Sequence, residues 1–138
     1  ELIPACENNN VSLIIGGVFN SGILIDPSPN SYFDYVELNN SWLDNARQLG
    51  VRMPESYESN TYWLDKASEI NKICHKYNIN LKTAALKFPY LNNNIATVLT
   101  GITSKEQVIE NLKSYSSNIS SDLWDELEQK NLIKTKVY

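Results

Sequence analysis

The sequence has few of the features that define several large classes of protein. Its two cysteines, Cys6 and Cys74, match no disulfide framework and no metal-ligand spacing, so we predict reduced thiols and no metal site. A net charge of -4 disfavours binding to nucleic acid or to an anionic membrane. The apolar runs, such as residues 13–15, are far shorter than a membrane span, and the first residues show no secretory pattern. We therefore expect a cytoplasmic protein.

The apolar pattern of the central region predicts a mixed α/β chain. Residues 11–17 and 95–99 are apolar runs without alternation, which is typical of strands buried on both faces. Asn80 can cap a short helix that runs to about residue 90. An amphipathic stripe before it, spaced by four and three residues, predicts a longer helix and consists of Trp63, Ala67, Ile70, Cys74 and Tyr77. Two strands joined by such a helical crossover should be adjacent and parallel.

Two further helices are predicted near the C-terminus. Thr103 and Glu106 have the spacing of a capping box. The apolar face of the helix that they begin consists of Val108, Ile109, Leu112 and Tyr115. The last helix covers residues 121–130, and its apolar anchors are Leu123, Trp124 and Leu127. Residues 1–7 resemble the tail of a helix, and two parallel strands do not form a stable sheet alone, so we expect a fragment of a larger domain.

Two glycine-containing loops follow the two predicted strands. The first covers residues 16–22, and the second covers residues 100–104 and leads into a helix N-terminus. Glycine allows close approach of the backbone to a phosphate, and free helix N–H groups supply donors, so the pair suggests one phosphate-rich ligand. Ordinary turn chemistry at strand ends explains the spacing equally well. Neither G-x-G-x-x-G nor a P-loop is present.

A long polar and aromatic segment, residues 26–60, separates the first strand from the first long helix. We expect it to be an active-site-face loop, because it leaves the carboxyl end of its strand. Its aromatic residues could line a substrate entrance or pack under the loop itself, and they include Tyr32, Phe33, Tyr35 and Trp42.

Four segments of the chain resemble the C-terminal part of the aldo-keto reductase superfamily, in particular its aldose and pyridoxal dehydrogenase branch. They are residues 14–24 (IIGGVFNSGIL), 84–89 (AALKFP), 96–111 (ATVLTGITSKEQVIEN) and 123–133, which begin LWDEL and end NLI. Val18 departs from the branch, which usually has proline there, and Asn131 stands in place of glycine. The resemblance implies that residues 1–138 contain the seventh and eighth strands, with their helices, of a TIM (β/α)8 barrel.

The resemblance also implies a function and a set of site residues. The parent would be an NAD(P)-dependent oxidoreductase that acts on an aldose or a related aldehyde or alcohol. The family's catalytic tetrad lies on the first four strands, so no catalytic residue is expected here, and the single histidine, His75, should lie at the surface. The pyrophosphate would be bound by Gly17, Phe19, Asn20, Ser21 and Gly22. The adenosine ribose would be bordered by Gly101, Ile102, Thr103 and Ser104, and the adenine amino group would face Glu110 and Asn111.

Gln107 and Gly101 stand where relatives that prefer NADP often place cations. A 2′-phosphate favours charge-assisted partners, so NAD is favoured over NADP, although Lys105 could partly substitute. One alternative is a non-catalytic remnant, or a binding module, from a split or truncated gene. Another is an unrelated α/β nucleotide-binding domain, which would need a glycine-rich loop after the first strand of a complete sheet. If the chain is a fragment of the enzyme, we expect that alone it lacks activity and associates with itself or with the family's N-terminal part.

Overall fold

The computed structural model describes residues 2–28 and 62–135. The elements, in chain order, are α1 (Leu2–Asn8), β1 (Leu13–Ile15), a 3-10 turn (Asn20–Gly22), α2 (Tyr62–Lys76), α3 (Leu81–Lys87), a second 3-10 turn (Phe88–Leu91), β2 (Ile95–Val98), α4 (Lys105–Ser116) and α5 (Ser121–Gln129). The predicted active-site-face loop lies, apart from residues 26–28, outside the described residues, as do its four aromatic residues.

The two strands form the sheet that positions the site. β1 pairs with β2 in parallel, with Leu13 opposite Ile95 and Ile15 opposite Val98, which confirms that the strands are adjacent and parallel. One bulge interrupts the register after Leu13. The prediction that both faces of the strands are buried is wrong for the described chain, because Ile14 is 62% exposed. This sheet has two strands, and the helices cover only the side toward which Leu13 and Ile15 turn.

Asparagine ends three of the helices. Asn10, Asn78 and Asn131 all have positive φ, between 54° and 57°. The residue after each of them donates its N–H to a carbonyl five positions back, on Cys6, Cys74 and Leu127 respectively. This is the Schellman arrangement, in which glycine or asparagine takes the left-handed position. It also explains why Val11 does not join β1 and why Asn131 can stand where relatives have glycine.

The hydrophobic core lies among the helices. The predicted anchors of α5, Leu123, Trp124 and Leu127, are buried as expected, and they pack with residues of two other helices. Those residues are Ile73 and Cys74 of α2 and Leu81 and Ala84 of α3. The stripe predicted for α2 faces the interior: Cys74 is buried in this core with Ile70 and Tyr77 at its margin, and Ala67 is buried in a second cluster with Ile23. The helices α2, α3 and α5 thus share one core.

One prediction about α4 is wrong. Its N-cap is Ser104, whose side chain accepts the N–H of Gln107, so the cap lies one residue beyond Thr103, and the side chain of Gln107 accepts the N–H of Thr103. The sequence TSKEQ satisfies the spacing in both registers, and the extended backbone of Ser104 decides between them. The apolar stripe of α4 is exposed, with Leu112 at 62%. A small polar contact holds α4 to α3 instead, through Thr83 Oγ1 and the buried Ser114 Oγ, 3.1 Å apart.

None of the described helices is both long enough and apolar enough to span a bilayer.

Candidate cofactor site

The parallel pairing brings the two glycine-containing loops to one edge of the sheet. Ile15 is the last residue of β1, and its carbonyl accepts the N–H of Leu99, directly after β2, at 2.8 Å. Gly16 and Thr100 therefore begin at neighbouring points, each beyond the carboxyl end of its strand. In α/β proteins this edge is where ligands bind.

The first loop has an unusual backbone. Four of its residues have φ in the left-handed region: Gly17 at 68°, Asn20 at 47°, Ser21 at 55° and Gly22 at 101°. Phe19 is right-handed and Asn20 left-handed, but the N–H of Asn20 donates to Gly17 O at 2.8 Å and that of Gly22 to Phe19 O at 3.0 Å, so the turn is closed by its own hydrogen bonds. Left-handed conformations at residues other than glycine cost about 1–3 kcal/mol each. The turn also leads directly to Ile23, which is only 1% exposed.

The second loop is held by Gln107. Its Oε1 accepts both the N–H of Thr103, at 2.9 Å, and the Thr103 hydroxyl, at 3.2 Å. Ser104 caps the same turn from the other side. The side chain of Gln107 is therefore occupied in holding the loop, and it brings no charge to the place where a 2′-phosphate would be bound.

Asn111 has an unsatisfied buried acceptor. Its Nδ2 donates to Thr100 Oγ1 at 3.2 Å, which ties α4 to the end of β2. Its Oδ1 is buried and has no hydrogen-bond partner among the described residues. Asn111 Oδ1 is thus an exception to the rule that buried polar atoms are paired, and it has almost no surface that a ligand could reach.

Sequence reasoning missed one residue of this region, Lys82. Its ammonium lies 2.9 Å from Glu110 Oε2 and 6.0 Å from the centre of the Phe19 ring. Lys82 therefore joins a residue of the first loop to a residue of α4, although they are far apart in sequence. One sequence signal could have found it: a lysine in the first turn of a helix lies at the unfavourable end of the helix dipole and calls for a nearby carboxylate.

The side chains whose pKa values are shifted, Glu126 and Cys74 among them, lie away from the two loops. Glu126 of α5 accepts hydrogen bonds from Lys76 Nζ and Tyr77 Oη, and these bonds lower the pKa of Glu126. Burial raises the pKa of Cys74 to about 11, so this thiol is unreactive near neutral pH. His75 is exposed, as predicted. The described residues contain no group of three side chains that could hold a metal ion.

A cavity of about 530 Å³ lies between the sheet and the helix layer. Its lining is mostly apolar and includes Ile15, Ala84 and Trp124. Of the predicted site residues, only Gly17 and Asn20 reach it. The first loop therefore borders the cavity, although the cavity's mostly apolar lining does not suit a charged pyrophosphate.

Known proteins with similar sequences agree with the resemblance. The chain is 28% identical over 134 residues to pyridoxal 4-dehydrogenase of Microbacterium luteolum, an alignment that covers 96% of this chain and 33% of that protein. It is 27% identical over 135 residues to D-threo-aldose 1-dehydrogenase of a Pseudomonas species, covering 98% of this chain and 35% of that protein. With NADH-specific methylglyoxal reductase of Escherichia coli (strain K12) it shares 23% identity over 121 residues, covering 87% and 33%.

The chain spans about one third of the length of these curated relatives. The sequence profile of the Aldo/keto reductase family matches residues 1–132, which is nearly all of the chain. The chain therefore belongs to the aldo/keto reductase family.

Proposed function

We propose that this chain is the cofactor-binding C-terminal part of an NAD(P)-dependent oxidoreductase. In this proposal β1 and β2 are the seventh and eighth strands of a (β/α)8 barrel, and the two loops at their carboxyl ends bind a nicotinamide dinucleotide. The bound cofactor would exchange a hydride with the substrate, and the residues of this chain would bind and orient it. Proton transfer would be carried out by residues other than the twelve that we propose to bind the cofactor: Gly17, Phe19, Asn20, Ser21, Gly22, Gly101, Ile102, Thr103, Ser104, Gln107, Glu110 and Asn111.

The observation that carries the proposal is the shared origin of the two loops. Leu99 N–H donates to Ile15 O, so both loops start from one hydrogen-bonded point of the sheet. The first loop would surround the pyrophosphate with Gly17, Phe19, Asn20, Ser21 and Gly22. The second would border the adenosine ribose with Gly101, Ile102, Thr103 and Ser104.

The adenine would be recognised by Glu110 and Asn111. A purine amino group donates two hydrogen bonds, and these consecutive residues carry a carboxylate and a carboxamide oxygen, which are acceptors. In this proposal the amino group of the adenine donates the hydrogen bonds, and Glu110 and Asn111 accept them.

NAD is the preferred cofactor in this proposal. Gln107 is neutral and its oxygen is engaged by Thr103, so a 2′-phosphate would lack a charge-assisted partner there. Gln107→Arg should shift the ratio of NAD to NADP affinity toward NADP. An unchanged affinity ratio would mean that the 2′ group of the cofactor does not lie beside residue 107.

The proposed substrate is a small carbonyl compound or sugar, such as an aldose, or a related aldehyde or alcohol. The support is the family and the names of the relatives, which include a pyridoxal dehydrogenase and an aldose dehydrogenase. An assay of the natural full-length protein with NAD, NADP and a panel of aldoses, pyridoxal and methylglyoxal tests this class.

Replacing Glu110 and Asn111 together by alanine tests the binding role. Each lost hydrogen bond should cost about 0.5–1.5 kcal/mol, so the pair should raise the dissociation constant of NAD roughly tenfold, with little change in the chemical step. A double alanine variant at the exposed positions Asp125 and Gln129 of α5 is the control. Equal affinity in both variants and in the wild type, measured by calorimetric titration, would assign Glu110 and Asn111 to a solvated face.

One observation favours a second candidate, a binding module. The apolar stripe of α4 is exposed, and so is Ile14 of β1, which leaves apolar surface and a strand edge available for association. Inactivity of the 138-residue chain alone, and its association with itself or with the family's N-terminal part, are expected of an enzyme fragment as well, so sedimentation does not separate the two candidates. They are separated by whether upstream sequence in the same reading frame encodes the first six βα units.

A further inference from the structure

The strongest unexplained feature outside the twelve assigned residues is the environment of Lys82. It is the second residue of α3, and its side chain is only 14% exposed, whereas its partner Glu110 is 65% exposed. An ordinary surface ion pair has two exposed side chains and contributes little to stability. Here the lysine is mostly buried and the carboxylate is mostly exposed. This asymmetry indicates that the exposed side of the carboxylate has a function.

We propose that Lys82 is a positioning residue that sets the preference of the site for an adenine ring carrying an amino group. The inference rests on the proposed cofactor-binding function. Lys82 bonds Oε2 of Glu110, while Oε1 makes no hydrogen bond within residues 2–28 and 62–135. One oxygen is thus anchored, and the other is directed outward as an acceptor for an amino group.

The charge of Lys82 has a second effect. Glu110 alone would repel a dinucleotide whose pyrophosphate is anionic, because both carry negative charge. The ammonium 2.9 Å away offsets the carboxylate charge and allows Glu110 to serve as an acceptor beside an anion.

Lys82 also links the two halves of the proposed site. Its ammonium lies 6.0 Å from the Phe19 ring, within the range of a cation–π contact. Phe19 follows β1, and Glu110 belongs to α4 after β2, so one side chain fixes the distance between the pyrophosphate loop and the adenine pair. Moving either element should disturb both contacts.

Lys87 provides a matched control on the same helix. Its Nζ donates to the carbonyl of Tyr115 at 3.1 Å and lies 5.1 Å from the centre of that ring. It therefore ties α3 to α4 by the same kinds of contact, but at the end of α4 away from Glu110. Loss of Lys87 reproduces the structural effect of losing a lysine that bridges α3 and α4, without touching the proposed adenine site.

The test compares NAD with nicotinamide hypoxanthine dinucleotide, in which a carbonyl oxygen replaces the amino group. Binding of both is measured by calorimetric titration to the natural full-length protein and to Lys82→Met, Lys82→Arg and Lys87→Met. The wild type should prefer NAD by about tenfold or more, because a carboxylate facing a carbonyl oxygen loses a charge-assisted bond. In Lys82→Met the ratio should fall toward one, while Lys82→Arg and Lys87→Met should keep most of it.

The outcomes separate the two proposals. If the wild type binds neither dinucleotide, the proposed function fails and Lys82 loses its role with it. If the wild type discriminates and Lys82→Met discriminates equally, only the role of Lys82 is overturned. An equal loss in Lys82→Arg, or in Lys87→Met, would also overturn it, because the positive charge at this point would then not be the determinant. Circular dichroism melting of each variant establishes that the binding data refer to folded protein.

Discussion

Two neighbouring glycines in the first loop allow the effect of backbone strain on stability to be separated from that of steric overlap. Gly16 and Gly17 are neighbours, and a methyl group added at either position would meet no atom within 4 Å. Only Gly17 has a left-handed backbone, with φ of 68°. Alanine at the two positions therefore differs in backbone strain and not in steric overlap.

The expected magnitudes follow from two terms. Replacing glycine by alanine restricts the unfolded chain and stabilises the fold by about 0.4–1 kcal/mol wherever the native backbone suits alanine. A left-handed conformation costs an L-residue roughly 1–2 kcal/mol. Gly16→Ala should thus be slightly stabilising. Gly17→Ala carries both terms, and the unfolded-state term cancels when the two variants are compared. Their free energies of unfolding should differ by about 1–2 kcal/mol, with Gly17→Ala the less stable.

Urea unfolding followed by circular dichroism measures this difference. The same two variants also test the site, since Gly17→Ala should weaken the binding of NAD by the natural full-length protein more than Gly16→Ala does. Equal stabilities would refute the reasoning, because they would mean that the loop relaxes its left-handed turn at no cost.

Further predictions concern the core and the titrating groups. Leu123→Ala should lower the free energy of unfolding by about 2–5 kcal/mol, whereas Leu112→Ala, at an exposed position of α4, should change it by less than about 0.5 kcal/mol; similar losses would contradict the core assignment. The hydrogen bonds from Lys76 and Tyr77 lower the pKa of Glu126 below its ordinary 4.5, so its contribution is present above that pH and is lost as pH falls through the lowered value. The stability difference between wild type and Glu126→Gln should therefore shrink in acid, and a difference constant from pH 7 to pH 3 would contradict this. Cys74, whose pKa is raised to about 11 by burial, should react with iodoacetamide at pH 8 only after urea unfolds the chain; rapid alkylation of the native protein would show that the thiol is accessible.

The sequence by itself determined the elements that depend on local rules. The stripe on α2, the Asn80 cap and the anchors of α5 were predictable, because helical spacing and side-chain capping are read within a few residues. The parallel pairing of the strands was also predictable, since a long helical connection leaves little alternative. The family was identifiable from short motifs near both ends.

Only the tertiary structure decided which apolar faces are covered. Ile14 and the stripe of α4 look like core residues in sequence, but burial depends on whether a neighbouring layer covers them, and Ile14, Ile109 and Leu112 are all more than half exposed. The capping register at Ser104 was equally open, because two overlapping matches fit the same rule. The sequence could single out Lys82 by its place in the first turn of a helix, but it could not give its partners: Phe19 and Glu110 come from different elements, which only tertiary packing brings within reach of one ammonium group.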